Sequence, residues 1–193
     1  VKYVEQSHPE LMANLSSCRS PQQMLGALCK TVLPDELGIH RQELVVVSIM
    51  PCTAKKFEAR RPEFARDGQP DVDYVLTTQE LAQMIEEAGL RFAKLPPESF
   101  DMPMGFKTGA GIILGNSGGV TEAVLRYAVE KISGHQLENP DFHAVRGEDG
   151  LRFRTLNVDG TELKLAVAHG LNNAQNLLEM IQQGECEVDF VEV

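Results

Sequence analysis

The stretch LVVVSIMPCTAKKFE, from Leu44 to Glu58, determines how the rest of this chain is interpreted. It begins with an apolar, β-branched run, Leu44 to Val47, which is typical of a strand buried on both faces of a mostly parallel sheet. Pro51 ends that strand, because proline cannot donate to a ladder and favours an extended residue before it. We therefore expect Cys52 at the carboxyl end of a buried strand, the edge at which open α/β sheets bind ligands.

Three side chains around this strand end indicate a soft, negatively charged ligand. In sequence, the thiol of Cys52 stands between the thioether of Met50 and the ammonium of Lys55, and a nearby cation favours both a thiolate and anionic ligands. A soft metal or an iron-sulfur cluster would suit this set. A lone cysteine is also a common small core residue, and a cluster needs about four thiolates. The residues alone leave both interpretations open.

A helix is predicted to begin just after Ser20 and to end near Val32, before Pro34. Ser20 is a good N-cap residue, Pro21 suits the first helical position, and Gln23 is placed to complete a capping box. An apolar face is expected to pack into the core. Its members are Met24, Leu25, Leu28 and Cys29.

A strand followed by a helix is predicted after the central stretch. Asp73 to Leu76 indicates a short strand, Thr77 and Glu80 form a second capping box, and Gly89 is placed as a left-handed helix stop. Such a unit, repeated with a parallel neighbour, gives a right-handed crossover and a layered α/β domain.

The C-terminal third predicts a β-hairpin, a helix and a last strand. Leu151 to Leu156 and Glu162 to Ala168 alternate as paired strands closed at Asp159-Gly160. Asn172 is expected to cap the helix, and Val188 to Val193 to form the strand. The predicted fold class is α/β, a mostly parallel sheet flanked by helices with a β-hairpin in the C-terminal third. We expect the whole chain to form a single lobe.

A glycine-rich segment, TGAGIILGNSGG at Thr108 to Gly119, leads into a predicted helix over Val120 to Ser133. A glycine turn that opens a helix exposes backbone donors and can hold a phosphate. Neither GxGxxG nor GxxxxGK[ST] is present, however. The glycines are better interpreted as sites of close packing between the loop and a neighbouring element.

Composition narrows the possible partners. The 193 residues carry a net charge of -10 and a sequence pI near 5.0, which disfavours nucleic acids and anionic membranes. Apolar runs are too short to span a bilayer, and no signal-peptide pattern opens the chain, so we expect a cytoplasmic protein with no membrane partner. The four cysteines lack CxxC spacing and are expected to be reduced thiols. They are Cys18, Cys29, Cys52 and Cys186.

The stretch MPCTAKKFE at Met50 to Glu58 resembles the central cluster-binding motif of the iron-only, or [FeFe], hydrogenase catalytic domain. Three further stretches fall in that family's order and approximate spacing. They are NLSSCRSPQQMLGALCK at Asn14 to Lys30, TTQELAQMI at Thr77 to Ile85 and GNSGGVTEAVLR at Gly115 to Arg126. The resemblance covers essentially the whole chain.

This resemblance implies an H-cluster, a [4Fe-4S] cubane held by four cysteines and linked to a diiron centre with carbon monoxide and cyanide ligands. Cys52 would be a cubane ligand, and Lys55 would donate to a cyanide. Met50 would pack beside the diiron centre. Ser16 matches a hydroxyl on the family's proton path and would be the catalytic residue of this segment.

The resemblance also places Pro21 and Gln22 near the cofactor, at the helix start. The family's two flanking cysteine motifs, TSCCPxW and MACxxGC, would lie before Val1 and after Val193. The 193 residues alone are therefore expected to bind no cofactor and to be inactive. Expected partners are the remainder of the catalytic domain and a redox partner such as ferredoxin or a nicotinamide-linked subunit.

Two other functions compete with hydrogen chemistry. One is a hydrogenase-like iron-sulfur protein that serves cluster assembly or redox sensing. The other is a plain α/β small-molecule-binding module in which Cys52 is a core thiol.

Overall fold

The computed structural model describes residues 1–106, 108–134, 150–158 and 160–193. Within these ranges the chain forms two compact units, Val1–Pro103 and Met104–Val193. We call them unit 1 and unit 2.

Unit 1 contains a parallel pair of strands with helices around it. In chain order its elements are α1 (Lys2–Ser7), a 3-10 helix (Pro9–Asn14), α2 (Pro21–Leu37), a 3-10 helix (Arg41–Glu43), β1 (Val47–Met50), α3 (Ala54–Ala59), a 3-10 helix (Pro62–Phe64), β2 (Ala65–Arg66), β3 (Gln69–Pro70), β4 (Tyr74–Thr77), α4 (Thr78–Glu87) and a 3-10 helix (Phe92–Lys94). β1 and β4 are parallel, with Met50 opposite Thr77, whereas β2 and β3 form a small antiparallel pair. The carboxyl ends of β1 and β4 therefore share one edge.

The strand predicted to begin at Leu44 begins later than expected, and its predicted burial on both faces is wrong. β1 begins at Val47, and its burial alternates along Val47–Met50. Val47 and Ile49 are half exposed, whereas Ser48 and Met50 are more protected. In the described residues β1 pairs only with β4, so the other edge of β1 has no strand beside it. Pro51 does end the strand, as predicted.

Helix α2 differs from its prediction at its end and in its orientation. It continues through Pro34 to Leu37, because the carbonyl of Pro34 still accepts a bond from Gly38, whose φ of 67° closes the helix. The apolar side chains predicted for the core are exposed, at 48% for Met24 and 57% for Leu25. The opposite face packs inward at Gly26, where an added Cβ would lie 2.7 Å from the carbonyl oxygen of Asp71.

Polar pairs fill the interior that the inward face of α2 meets. Lys30 is 2% exposed, and its Nζ lies 2.8 Å from Oδ2 of Asp73. Asp71 is 4% exposed and binds Arg19 and Arg41, the latter at 2.7 Å. Because these charges are paired, the attraction between the partners offsets the desolvation penalty of burying them. Because the inward face of α2 is buried through charged side chains, hydrophobic periodicity could not predict it.

The local helix signals of unit 1 are mostly confirmed. Ser20 caps α2 by accepting from the Gln23 N–H. Gln23 does not complete the box, since its buried side-chain amide has no hydrogen-bond partner among the described residues. Thr77 and Glu80 form the predicted capping box of α4. Gly89, with φ 70°, follows that helix in the left-handed region.

Unit 2 joins helices to a three-stranded sheet. Its elements are α5 (Gly109–Ile113), α6 (Gly119–Ser133), β5 (Leu151–Val158), β6 (Thr161–Ala168), α7 (Leu171–Gln182) and β7 (Phe190–Glu192). β5 and β6 pair antiparallel, which confirms the hairpin, and β7 adds parallel to β6. Of the predicted turn, Asp159 lies outside the described residues. With the parallel β1–β4 pair, this sheet confirms the α/β class.

The core of unit 2 lies between β6 and α7. Ala166, Ala168, Ala174 and Leu177 are almost fully buried there. Asn172 does not cap α7 as predicted. The helix begins at Leu171 with Gly170 as the N-cap residue, since the φ of 85° at Gly170 makes the turn out of β6.

Gly119 allows a close approach at the start of α6. An added Cβ would lie 2.7 Å from the carbonyl carbon of Ile113 and closer still to its oxygen. The predicted close packing is therefore confirmed at Gly119, whereas Gly109 and Gly115 of the same segment make no such close approach.

Gly119→Ala should therefore destabilise unit 2. Because backbone atoms must move, we expect a loss of about 3 kcal/mol in unfolding free energy. Gly109→Ala is the matched control, since a Cβ at Gly109 meets nothing within 4 Å. Urea unfolding of both variants, with hydrogen exchange to localise the change to unit 2, checks this. Equal stability of the two variants would contradict it.

Candidate functional site

Cys52 stands at the carboxyl edge of the β1–β4 pair, two residues after β1 ends. Its thiol is exposed. The backbone N–H of Lys55 donates to the carbonyl of Cys52 at 3.3 Å, so both residues belong to the turn that opens α3. The expected position of Cys52 at a strand end is confirmed, although the strand before it is less buried than predicted.

The start of α2 contacts this turn through Gln22. Gln22 is 5% exposed, and its Nε2 donates to the carbonyl of Lys55 at 3.3 Å and to Oε2 of Glu58 at 3.2 Å. Its Oε1 accepts from the hydroxyl of Ser48 on β1 at 2.8 Å. One buried amide thus joins α2, β1 and α3. The structure brings Gln22, Cys52 and Lys55 together from positions about 30 residues apart in sequence.

Glu58 is a residue at this site for which the sequence predicted no role. Its carboxylate accepts from the hydroxyl of Ser20 at 2.8 Å and lies 3.3 Å from Nζ of Lys55. The spacing Lys55-x-x-Glu58 on a helix signals this ion pair, since side chains three apart are neighbours. No local signal gives the contact with Ser20.

The other predicted site residues lie at the margins of this arrangement. Met50 ends β1 and is partly buried, and Pro21 is exposed at the first position of α2. Ser16 is exposed beyond the 3-10 helix, where its Oγ accepts from the backbone N–H of Cys18 at 3.1 Å. This contact is local to its own turn.

Lys56, which follows Lys55, binds a different carboxylate. Its Nζ lies 2.6 Å from Oε2 of Glu80, in the capping box of α4. That hydrogen bond holds the pKa of Glu80 below its ordinary value. The two adjacent lysines therefore make different contacts. Lys56 binds Glu80 and so joins α3 to α4, whereas the backbone of Lys55 is bonded to that of Cys52.

The donor set fits one corner of an iron-sulfur cluster. Among the described residues no group of three or more His, Cys, Asp or Glu side chains could hold a metal ion. Cys52 offers one accessible thiol on the turn that also carries Lys55, and a nearby cation favours the thiolate that a cluster needs. Burial raises the pKa of the Cys29 thiol, which disfavours its thiolate and supports a packing role.

The start of α6, where a phosphate could bind, is occupied by a side chain of the same unit. The carboxylate of Glu192 on β7 accepts from the N–H of Gly118 at 3.2 Å and of Thr121 at 2.7 Å, and also from the Thr121 hydroxyl. A carboxylate is well placed at the positive end of a helix. A phosphate would have to displace it, which disfavours the nucleotide-binding interpretation.

Residues 1–193 match the family described as "Iron only hydrogenase large subunit, C-terminal domain". This chain belongs to that family. The resemblance carried by MPCTAKKFE is therefore confirmed, and with it an oxidoreductase family whose cofactor is the H-cluster.

Curated relatives extend well beyond the matched segment. The NADP-reducing hydrogenase subunit HndD of Solidesulfovibrio fructosivorans is 50% identical over 185 residues, which cover 96% of this chain and 32% of the relative. The periplasmic [Fe] hydrogenase large subunit of Nitratidesulfovibrio vulgaris is 44% identical, covering 99% of this chain and 45% of the relative. The chain thus spans less than half the length of these relatives.

Among solved structures, the apo [FeFe]-hydrogenase HydA1 from Chlamydomonas reinhardtii, variant C377H, has a TM-score of 0.80 at 38% identity. The match covers 98% of this chain and 55% of that one. A cytosolic Fe-S cluster assembly factor of Xenopus tropicalis, narfl, also matches at 33% identity over 99% of this chain.

The predicted cytoplasmic location is contradicted by these relatives. The Nitratidesulfovibrio vulgaris protein, 44% identical, is by name periplasmic. Acidic composition and short apolar runs occur in both cytoplasmic and periplasmic proteins, so they do not distinguish between these two compartments. None of the described helices combines the length and the hydropathy that crossing a bilayer requires.

Proposed function

We propose that this segment supplies one cubane ligand and part of the diiron surroundings in an iron-only hydrogenase. The whole protein would catalyse reversible hydrogen oxidation and proton reduction. The observation that supports this most directly is the junction of the Cys52 turn with the start of α2. There Gln22 is buried and fully bonded between β1 and α3, which places an exposed thiol and an ammonium on one turn.

Each residue would contribute a distinct interaction. The thiolate of Cys52 would hold one cubane iron, and the ammonium of Lys55 would donate to an anionic ligand beside it. Met50 would exclude water next to them, because its thioether is apolar and polarisable. Pro21 and Gln22 would form the wall at the start of α2. When bound, the H-cluster supplies the iron at which hydrogen is made or split.

Ser16 would take part in proton transfer. A hydroxyl both donates and accepts a hydrogen bond, so it can relay a proton between two neighbours. Its exposure leaves the Oγ open to a partner outside the described residues.

The redox partner is proposed to be ferredoxin or a nicotinamide-linked subunit. The name of the relative HndD, an NADP-reducing hydrogenase subunit, supports the second of these.

Cys52 is the one cubane ligand proposed among these 193 residues, and a cubane needs about four thiolates. The 193 residues alone should therefore bind no stoichiometric iron.

Cluster assembly is the competing function. It is favoured by relatives named as cytosolic Fe-S cluster assembly factors, at about a third identity over nearly the whole chain. The 50% identity to a hydrogenase subunit favours hydrogen chemistry.

A chimera separates the two functions. In it, residues 1–193 replace the matched segment of HydA1, which provides the rest of a catalytic domain. Loaded with cubane and diiron unit, this chimera should evolve hydrogen from a reduced dye. If it folds and carries the complete cluster but evolves no hydrogen, the hydrogenase proposal fails and assembly or sensing is favoured.

Lys55→Met in the chimera should leave the cubane intact and weaken retention of the diiron unit. Removing one charge-assisted hydrogen bond costs about 1.5–3 kcal/mol, which corresponds to a roughly 10- to 150-fold loss of affinity. Iron counting and electron paramagnetic resonance measure the cubane, and infrared bands of bound cyanide measure the diiron unit.

Lys56→Met is the matched control, because Lys56 is the adjacent lysine but binds Glu80. It should leave diiron retention unchanged. If Lys55→Met retained the diiron unit as well as Lys56→Met does, the role proposed for Lys55 would be wrong.

A further inference from the structure

The carboxylate of Glu58 is fixed from two directions by the first turn of α2. Its Oε2 accepts from the Ser20 hydroxyl at 2.8 Å and from Nε2 of Gln22 at 3.2 Å. Gln22 is in turn held by Ser48 at 2.8 Å. Glu58 therefore has anchors outside its own helix, and its position does not depend on Lys55.

Lys55 is held more loosely than Glu58 is. Its Nζ lies 3.3 Å from both oxygens of Glu58, longer than the roughly 2.7–2.9 Å of a tight ammonium–carboxylate bond. Its side chain is 30% exposed. An ammonium has three N–H donors, so Lys55 keeps donor capacity for a second anion while it remains beside Glu58.

The backbone of Lys55 is bound to the same junction. Its carbonyl accepts from Nε2 of Gln22, while its N–H donates to the carbonyl of Cys52. The backbone of Lys55 is thus fixed by Gln22 and Cys52, whereas the direction of its ammonium depends on a separate partner, which among the contacts of the described residues is Glu58.

We propose that Glu58 is a positioning residue that aims the Lys55 ammonium at an anionic ligand on the Cys52 edge. This inference rests on the proposed function, because the anion it invokes is a cyanide of the diiron unit. Glu58 itself touches no cofactor. The start of α2 fixes Glu58, and Glu58 then fixes Lys55.

The test is a double-mutant comparison in the chimera loaded with cubane and a diiron unit. Glu58→Gln is isosteric and can still accept from Ser20, but it removes the charge that attracts Lys55. We expect diiron affinity to fall several-fold, and the cyanide bands to shift in the same direction as they do in Lys55→Met measured alongside. In a Lys55→Met background, Glu58→Gln should have no further effect, because the group it positions is gone.

Glu36→Gln is the control, since Glu36 is exposed on α2 and the same charge is removed there. It should change neither affinity nor bands. A purely structural role for Glu58 would lower diiron affinity equally in both backgrounds, and that result would overturn the proposal. If the wild-type chimera binds the complete cluster and Glu58→Gln changes neither diiron affinity nor the cyanide bands, this inference alone is refuted. A wild-type chimera that folds without binding cluster would refute the proposed function as well.

Discussion

Cys52→Ala in the chimera is expected to abolish stable loading of the [4Fe-4S] cluster. Alanine offers no ligand, and water is a poor substitute for a thiolate on iron. Iron content should fall by about six atoms per protein, four from the cubane and two from the diiron unit, since the diiron unit would be held through the cubane and both parts would be lost. Iron counting and electron paramagnetic resonance of the reduced protein measure this.

Cys18→Ala is the matched control, because Cys18 is another exposed thiol of the same unit. Its contact with Ser16 is made by its backbone N–H and survives the substitution. Iron content should be unchanged. A full cubane in Cys52→Ala would show that Cys52 is no ligand, whatever the family membership of the chain.

Signals that act within four residues predicted several caps correctly, although the helix stop before Pro34 and the cap at Asn172 were wrong. Ser20 caps α2, and Thr77 with Glu80 caps α4, because a side chain satisfies a backbone donor only a turn away. Gly89, with φ 70°, follows α4 in the left-handed region for an equally local reason. Such contacts need no knowledge of the rest of the fold.

The orientation of α2 could not be predicted, because its buried side chains are polar and their partners are distant. Lys30 pairs with Asp73 across 43 positions, and a charged residue on a helix is ordinarily assigned to solvent. The exposed apolar residues Met24 and Leu25 then define a misleading face. The correct inward face of α2 can be assigned only from the folded structure, in which the distant charged partners lie close together.

The candidate site was predictable where it is contiguous in sequence. Met50, Cys52 and Lys55 follow from one motif at a strand end. Gln22 and Glu58 lie 36 positions apart, and their bond depends on how α2 crosses β1. The same holds for Glu192, which reaches the start of α6 from 71 residues away.

Lys30→Met should strongly destabilise unit 1. The Lys30 side chain is 1% exposed, with Nζ 2.8 Å from Oδ2 of Asp73, and it also donates to the carbonyl of Leu44. Methionine fills similar space but donates nothing, so the Asp73 charge loses its counterion inside the protein. Breaking a buried pair in this way costs about 3–5 kcal/mol. Urea unfolding, with amide hydrogen exchange over residues 1–103, measures the loss.

Two further variants separate charge from packing. Lys94→Met removes an exposed lysine of the same unit and should stay within about 0.5 kcal/mol of wild type. Lys30→Met combined with Asp73→Asn should be less destabilised than the sum of the single variants, because no uncompensated carboxylate remains. Strict additivity would mean that the two groups are energetically independent. The inward face of α2 would then be held by backbone packing around Gly26, and its polar interior would contribute nothing specific to its orientation.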